Sequence, residues 1–182
     1  VTQFEKEEVE EVGLLKMDIL GLKTLTIMRH ILEEIKEVEG IDVDLSTIPL
    51  DDEKTFAVFQ AGDTDGIFQF ESSGMREYLK KSRPNLLTDL IALNALYRPG
   101  PLGSGMADKF VLRKLGKEKV EYLFPELEAI LGDTYGIILY QEQVMRTSVV
   151  LAGFTMGRAD VMRKIMGKKQ VHKLPGIQKE FM

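Results

Sequence analysis

Segment after segment of this chain repeats apolar residues at helical spacing and then closes on a glycine. Leu22, Leu25, Met28, Ile31, Leu32, Ile35 and Val38 recur three or four apart up to Gly40, a natural residue for a left-handed helix stop. Asp51 or Asp52 is placed to cap a short helix carrying Phe56, Val58 and Phe59, which Gly62 ends. Ser72 or Ser73 caps a helix through Tyr78 and Leu79, and a strongly apolar helix runs from about Leu86 to Tyr97. Pro99, Gly100 and Pro101 terminate that helix, and Gly103-Ser104-Gly105 extends the turn. The next helix spans Met106 to Leu115. Pro125 occupies a first helical position for PELEAIL, which stops at Gly132. QEQVMRTSVVLAG is a helix ending at Gly153, and Thr155 caps MGRADVMRKIMG, ending at Gly167. GIFQFES (66–72) and GIILY (136–140) read as short strands. The fold class expected is mainly α with a few short β-strands, without internal repeats or a low-complexity linker.

Residues 14–28, LLKMDILGLKTLTIM, place one acid inside an apolar run. Leu15, Met17 and Ile19 alternate with Leu14, Lys16 and Asp18, the period of a strand. Lys16 and Asp18 then share one face, and Gly21 breaks the strand before the long helix. Strand ends are where α/β and α+β proteins gather ligand-binding groups. A solvated edge-strand aspartate paired with Lys16 is the competing reading.

Charge is distributed unevenly. Residues 1–65 hold 17 acids and 6 bases, whereas 66–182 hold 12 acids and 18 bases. The last forty residues carry 8 bases and 2 acids, so the C-terminal end is suited to an anionic partner. The absence of cysteine excludes disulfides and Cys-ligated zinc. His30 and His172 are far apart, and no apolar run approaches the ~18 residues of a membrane span. The N-terminus is acidic, unlike a signal peptide. An intracellular, cytoplasmic segment without membrane contact is expected.

Three patterns carry no function. Asp42-x-Asp44 follows a helix stop and suits loop capping. GDTDG fails as a calcium loop, because Ile67 and Gly74 stand where oxygen ligands belong. GSG at 103–105 is too short for a phosphate loop. The last basic helix is different: Ala159, Met162, Ile165 and Met166 share one face, with Arg163 and Lys164 beside it. Arg158 lies in the first turn and Lys168 and Lys169 just past the end. Such a helix can grip a polyphosphate, guanidinium bidentately and ammonium as a point charge; a solvated basic face is the alternative. Tyr140, nearby in sequence, suits base stacking or an ordinary core position.

GLLKMDILGLKTLTIM, GIFQFESSGMREYLKKSRPNLLTDLIALNALYRPGPLGSGM and GIILYQEQVMRTSVVLAGFTMGRADVMRKIMGKK resemble consecutive signature blocks of the C family of bacterial replicative DNA polymerases, the DNA polymerase III alpha subunits. The similarity runs from about Thr2 to Lys169, and VHKLPGIQKEFM is less typical. The resemblance implies an excerpt of a longer enzyme: the C-terminal part of the palm over 1–40 (strand plus long helix), then a helical fingers domain, incomplete at its C-terminus, over 41–182. It implies that Asp18 is a catalytic carboxylate and metal ligand for Mg²⁺, two ions in the complete enzyme, and that Lys16 touches the incoming triphosphate. It assigns Arg163 and Lys164 to that triphosphate, with Lys168 and Lys169 continuing the basic run. Gln69, Ser72, Asn94 and Arg98 would line the nucleotide pocket, and Tyr140 would lie near the nascent base pair. Implied partners are primer-template DNA, deoxynucleoside triphosphates and, for the parent, replicase subunits such as the sliding clamp. The family's other two catalytic aspartates come from an upstream aspartate-x-aspartate motif. No such pair precedes Val9, so this chain is expected to be inactive alone. A non-catalytic nucleic-acid-binding module and a structural domain docking through its charge asymmetry are the other two readings.

Overall fold

A computed structural model describes residues 3–5, 8–15, 17 and 19–182. The chain divides into two compact units, 1–48 and 49–182. In the first, α1 (Glu8–Glu11) is a single turn and α2 (Thr24–Glu39) is the long amphipathic helix. Gly40 ends α2 at φ 67°, donating its N–H to Lys36 O, the stop expected of a residue without Cβ. No residue of α2 is buried; Leu25, Ile31 and Val38 are all exposed. Asp44 caps the 3-10 turn Leu45–Thr47 by accepting from Ser46 N at 2.9 Å, the loop-capping role expected of it. Asp42 instead accepts from Lys36 Nζ at 2.7 Å.

The second unit is an all-helical body. α3 (Glu53–Ala61) starts where Asp52 accepts from Thr55 N at 2.7 Å. α4 (Ser73–Ser82) starts at Ser72, and α5 (Leu87–Leu96) follows the Pro84 bend. Phe56 of α3, Met75 and Leu79 of α4, and Leu90 and Leu93 of α5 pack into one core. α6 (Pro99–Gly103) and α7 (Met106–Lys114) come next. Ala92, Leu96, Ala107, Phe110, Val111 and Ile137 form the adjoining core. Each fully buried large apolar chain here, such as Phe110 or Leu79, contributes about 1.5–3 kcal/mol. α8 (Glu128–Leu131) continues a 3-10 turn begun at Pro125. α9 (Gln141–Ala152), α10 (Met156–Gly167) and α11 (Leu174–Phe181) finish the chain, sharing the Met162, Ile165 and Ile177 core.

Several expectations are corrected. No strand occurs among the described residues. At 66–72, Gly66 and Gln69 both take positive φ, 76° and 67°, which breaks an extended run into consecutive turns. At 136–140 the backbone bonds go to the preceding turn and to side chains rather than to a neighbouring strand: Gly136 N and Ile137 N donate to Leu131 O and Thr134 O at 2.9 and 3.0 Å. Thr134 Oγ1 donates to Ile137 O at 2.7 Å, and Gln143 Oε1 accepts from Leu139 N and Tyr140 N. In 14–20, Leu14, Leu15, Met17, Ile19 and Leu20 are exposed and belong to no regular element, and Lys16 and Asp18 lie outside the described residues. Pro99 begins a helix instead of only ending one, since its missing N–H is harmless at a first helical position. Gly132 stays helical, and the stop falls at Tyr135 and Gly136, with φ 52° and 75°. Met166 is half exposed rather than part of the buried face of α10. Residues 171–181, for which no element was expected, form a 3-10 turn and α11.

Gly74 of α4 lies under the side chain of Tyr97, the residue that follows α5. A Cβ there would lie 1.9 Å from Tyr97 Oη and 3.0 Å from its Cζ. The Tyr97 ring itself meets Tyr78 edge to face at 6.0 Å. Gly74→Ala should therefore lower the melting temperature, costing about 1–3 kcal/mol by overpacking although alanine favours helix by ~1 kcal/mol. Adding Tyr97→Phe should recover part of the loss. A rise in melting temperature for the single variant would contradict this packing.

Candidate functional site

α10 begins where Thr155 Oγ1 accepts from Arg158 N at 3.2 Å. The apolar side of the helix, Ala159, Met162 and Ile165, is buried, which fixes the rotation of the cationic side. Asp160 stands one turn before Arg163 and Lys164, at the spacings where helix side chains meet. Its Oδ1 accepts from Arg163 Nε at 3.0 Å and from a terminal guanidinium nitrogen at 2.6 Å. Its Oδ2 lies 2.7 Å from Lys164 Nζ. Hydrogen bonds from Lys164 and then Arg163 hold the Asp160 carboxyl below the usual range, so it is ionised at neutral pH. Arg158, in contrast, turns away to a two-pronged pair with Glu180 of α11 at 2.7 and 2.5 Å. Lys168 and Lys169 are exposed past the end of α10 and make no ion pair among the described residues; Lys169 has φ 50°.

The start of α9 joins this group. Tyr140 is its N-cap residue, and Gln141 Oε1 accepts from the remaining terminal nitrogen of Arg163 at 2.8 Å. Gln143, buried, braces the junction. Its Oε1 takes two backbone N–H groups, and its Nε2 donates to Thr134 Oγ1 at 2.8 Å and Ile130 O at 3.3 Å. Burial, with a lesser contribution from Asp133, pushes the Tyr140 hydroxyl above its ordinary value, so it stays protonated and able to donate.

A second group forms between α4 and α5. Asn94 Nδ2 donates to Gln69 Oε1 at 2.7 Å, bringing together two residues 25 apart in sequence. Gln69 sits in the left-handed region without being glycine, a strained conformation of the kind that clusters at functional sites. Ser72 is occupied as the N-cap of α4, its Oγ accepting from Met75 N at 3.3 Å. Arg98 is exposed at the start of α6. No hydrogen bond, ion pair or ring contact among the described residues joins this group to the α10 cations.

The sequence reading missed Asp160, Gln141 and Gln143. The first had a visible signal, an acid three and four residues before the two candidate cations. Gln143 had one too, three residues into a helix after its cap. Gln141 had none, because its contact is with a different helix.

Among the described residues no three His, Asp or Glu side chains gather to hold a metal ion. No helix among them is long and apolar enough to cross a membrane.

Residues 24–182 match the family described as the bacterial DNA polymerase III alpha subunit finger domain. The chain belongs to this family. The DNA polymerase III subunit alpha of Aquifex aeolicus is 52% identical over 181 residues, covering 100% of this chain and 16% of that protein. That of Pseudomonas aeruginosa is 50% identical over 181 residues, covering 93% and 15%. That of Escherichia coli K12 is 48% identical over 179 residues, again covering 93% and 15%. This finger-family chain thus spans roughly a sixth of the length of the curated relatives it matches.

Proposed function

We propose that this chain is the nucleotide-binding portion of a DNA-directed DNA polymerase, with a palm segment over 1–40 and fingers over 41–182. The observation that carries the reading is the α9–α10 junction, where Arg163 and Lys164 stand together on a buried-face helix and Arg163 reaches the residue after Tyr140. In this reading Arg163 and Lys164 receive the triphosphate of a deoxynucleotide, and Lys168 and Lys169 extend the positive field. Tyr140 offers its ring to the base pair being formed. Gln69, Asn94, Ser72 and Arg98 line the pocket on another side. Primer-template DNA, deoxynucleoside triphosphates and a sliding clamp are the partners, and the cytoplasm is the location.

Asp18 and Lys16 complete the assignment as a catalytic carboxylate and a triphosphate contact. In two-metal nucleotidyl transfer, Mg²⁺ stabilises the attacking and leaving oxygens. The described residues assemble no carboxylate cluster that would fit such ions. Activity is assigned to the longer protein.

Replacing Arg163 and Lys164 together with alanine tests the reading. Charge-assisted hydrogen bonds contribute about 1.5–3 kcal/mol each, reduced by screening because both groups are partly exposed. Deoxynucleoside triphosphate affinity of the longer polymerase on primer-template should fall about ten- to hundredfold. Unchanged affinity removes the assignment.

A second reading is a non-catalytic nucleic-acid-binding module. A cavity of about 650 Å³ where α4 meets α7 is lined by Lys80, Lys81, Arg83 and Lys117 with one acid, Asp108. A phosphate backbone suits such a lining, and binding there would weaken steeply with salt while ignoring free nucleotides.

A further inference from the structure

We infer that Asp160 is a built-in substitute for phosphate, occupying Arg163 and Lys164 in the absence of nucleotide and yielding them to a polyphosphate. The inference rests on the reading that these two cations receive the triphosphate.

Three features of the geometry lead to it. The edge of a guanidinium formed by Nε and one terminal nitrogen is the edge that takes a two-pronged anion. In this structure that edge is filled by Asp160 Oδ1, and the other terminal nitrogen by Gln141 Oε1. Three of the five guanidinium donors of Arg163 are thus engaged, and a phosphate that takes the edge formed by Nε must displace the carboxylate. Asp160 Oδ2 holds Lys164 at the same time, so one side chain engages both cations. Asp160 is also poised for release. Its side chain is 35% exposed, so leaving the cations returns it to water instead of burying a bare charge.

The local charge balance gives the device its effect. Among residues 143–182 the acids are Asp160 and Glu180, and Glu180 is committed to Arg158. Asp160 is thus the acid paired with both Arg163 and Lys164 on α10. A singly charged anion gains little by replacing a carboxylate that already makes three short contacts. A triphosphate, with several charges and many acceptor oxygens, gains more than it displaces. Asp160 in this way raises the charge threshold for occupancy, and it keeps the two cations ordered until a polyanion arrives. It is a positioning residue and does not touch the reacting atoms.

The competing role is purely structural: Asp160 would simply orient the cations, and its loss would weaken anion binding. The two roles differ in sign. Asp160→Asn keeps the shape and one acceptor oxygen but removes the charge. Inorganic tripolyphosphate is the probe, titrated calorimetrically against the 182-residue chain at low and at moderate salt, with circular dichroism confirming helix content. Asp160→Asn should bind about three- to fivefold tighter than wild type, the scale of one exposed ion pair. Its affinity should also depend more steeply on salt. Adding Arg163→Ala and Lys164→Ala should erase the gain. Equal or weaker binding by Asp160→Asn, with Arg163→Ala/Lys164→Ala still binding worse than wild type, overturns the substitute-anion role alone. If Arg163→Ala/Lys164→Ala binds as wild type does, the triphosphate assignment falls and this inference with it.

Discussion

Lys114→Met should lower the unfolding free energy of the 49–182 unit by about 3–5 kcal/mol. Lys114 of α7 and Asp89 of α5 are 7% and 4% exposed and meet at 3.3 Å. Asp89 also accepts from Asn85 N and Leu86 N at 3.0 and 3.1 Å, and Lys114 donates to Arg83 O and Asn85 Oδ1. Methionine fills the space of the lysine stem but leaves the Asp89 carboxylate buried with two N–H donors and no counter-charge. It also removes the donor to Arg83 O and Asn85 Oδ1, which water can replace because both residues are exposed. A buried pair of this kind contributes modestly as a whole, yet removing one member is costly because the other cannot return to water. Urea unfolding should show a lower midpoint at unchanged slope. Adding Asp89→Asn should recover part of the loss, since the amide oxygen still accepts from Asn85 and Leu86 without a charge. A loss below about 1 kcal/mol would mean that the charge is hydrated after all. Domains are stable by only about 5–15 kcal/mol, so the single variant approaches the threshold of folding.

Asp18→Asn, made in the longer polymerase, should abolish primer extension, a fall of at least about 10²–10³-fold. The substitution changes one oxygen to an amide and removes one charge, so binding of primer-template DNA should stay nearly intact. Extension assays beside a DNA-binding titration separate the two. Retained extension would defeat the catalytic role. Loss of both extension and DNA binding would also defeat it, because the effect would then be on the fold. This prediction comes from the KMD stretch and its family resemblance, together with the membership of the chain in the alpha subunit finger family.

Family membership and the cationic helix were legible in the chain itself. Arg163, Lys164, Lys168 and Lys169 stand out as a basic run beside an apolar stripe, and a periodic stripe is a local property of consecutive residues. The partners of those cations were harder to see. Asp160 belongs to the same helix and could be inferred from spacing, but Gln141 lies 22 residues from Arg163 and reaches it only because α9 and α10 pack together. Gln69 and Asn94 were each expected near a nucleotide. That they hydrogen-bond to one another across 25 residues follows from the placement of the turns before α4 beside α5.

What the sequence determined is the punctuation of the helices. Asp52, Ser72 and Thr155 start helices, and Gly40, Gly62 and Gly153 end them. Caps and left-handed stops depend on the conformations of a few neighbouring residues, so they can be read without knowing the rest. What only tertiary structure decided is the fate of the apolar runs between helices. GIILY has strand composition, but a strand needs a partner. Here Thr134 and Gln143 satisfy the backbone instead, while Ile137 is buried in the core. The Asp89–Lys114 pair is likewise a tertiary product. Two charges 25 residues apart can leave water only where two helices meet and the surrounding backbone supplies the remaining hydrogen bonds.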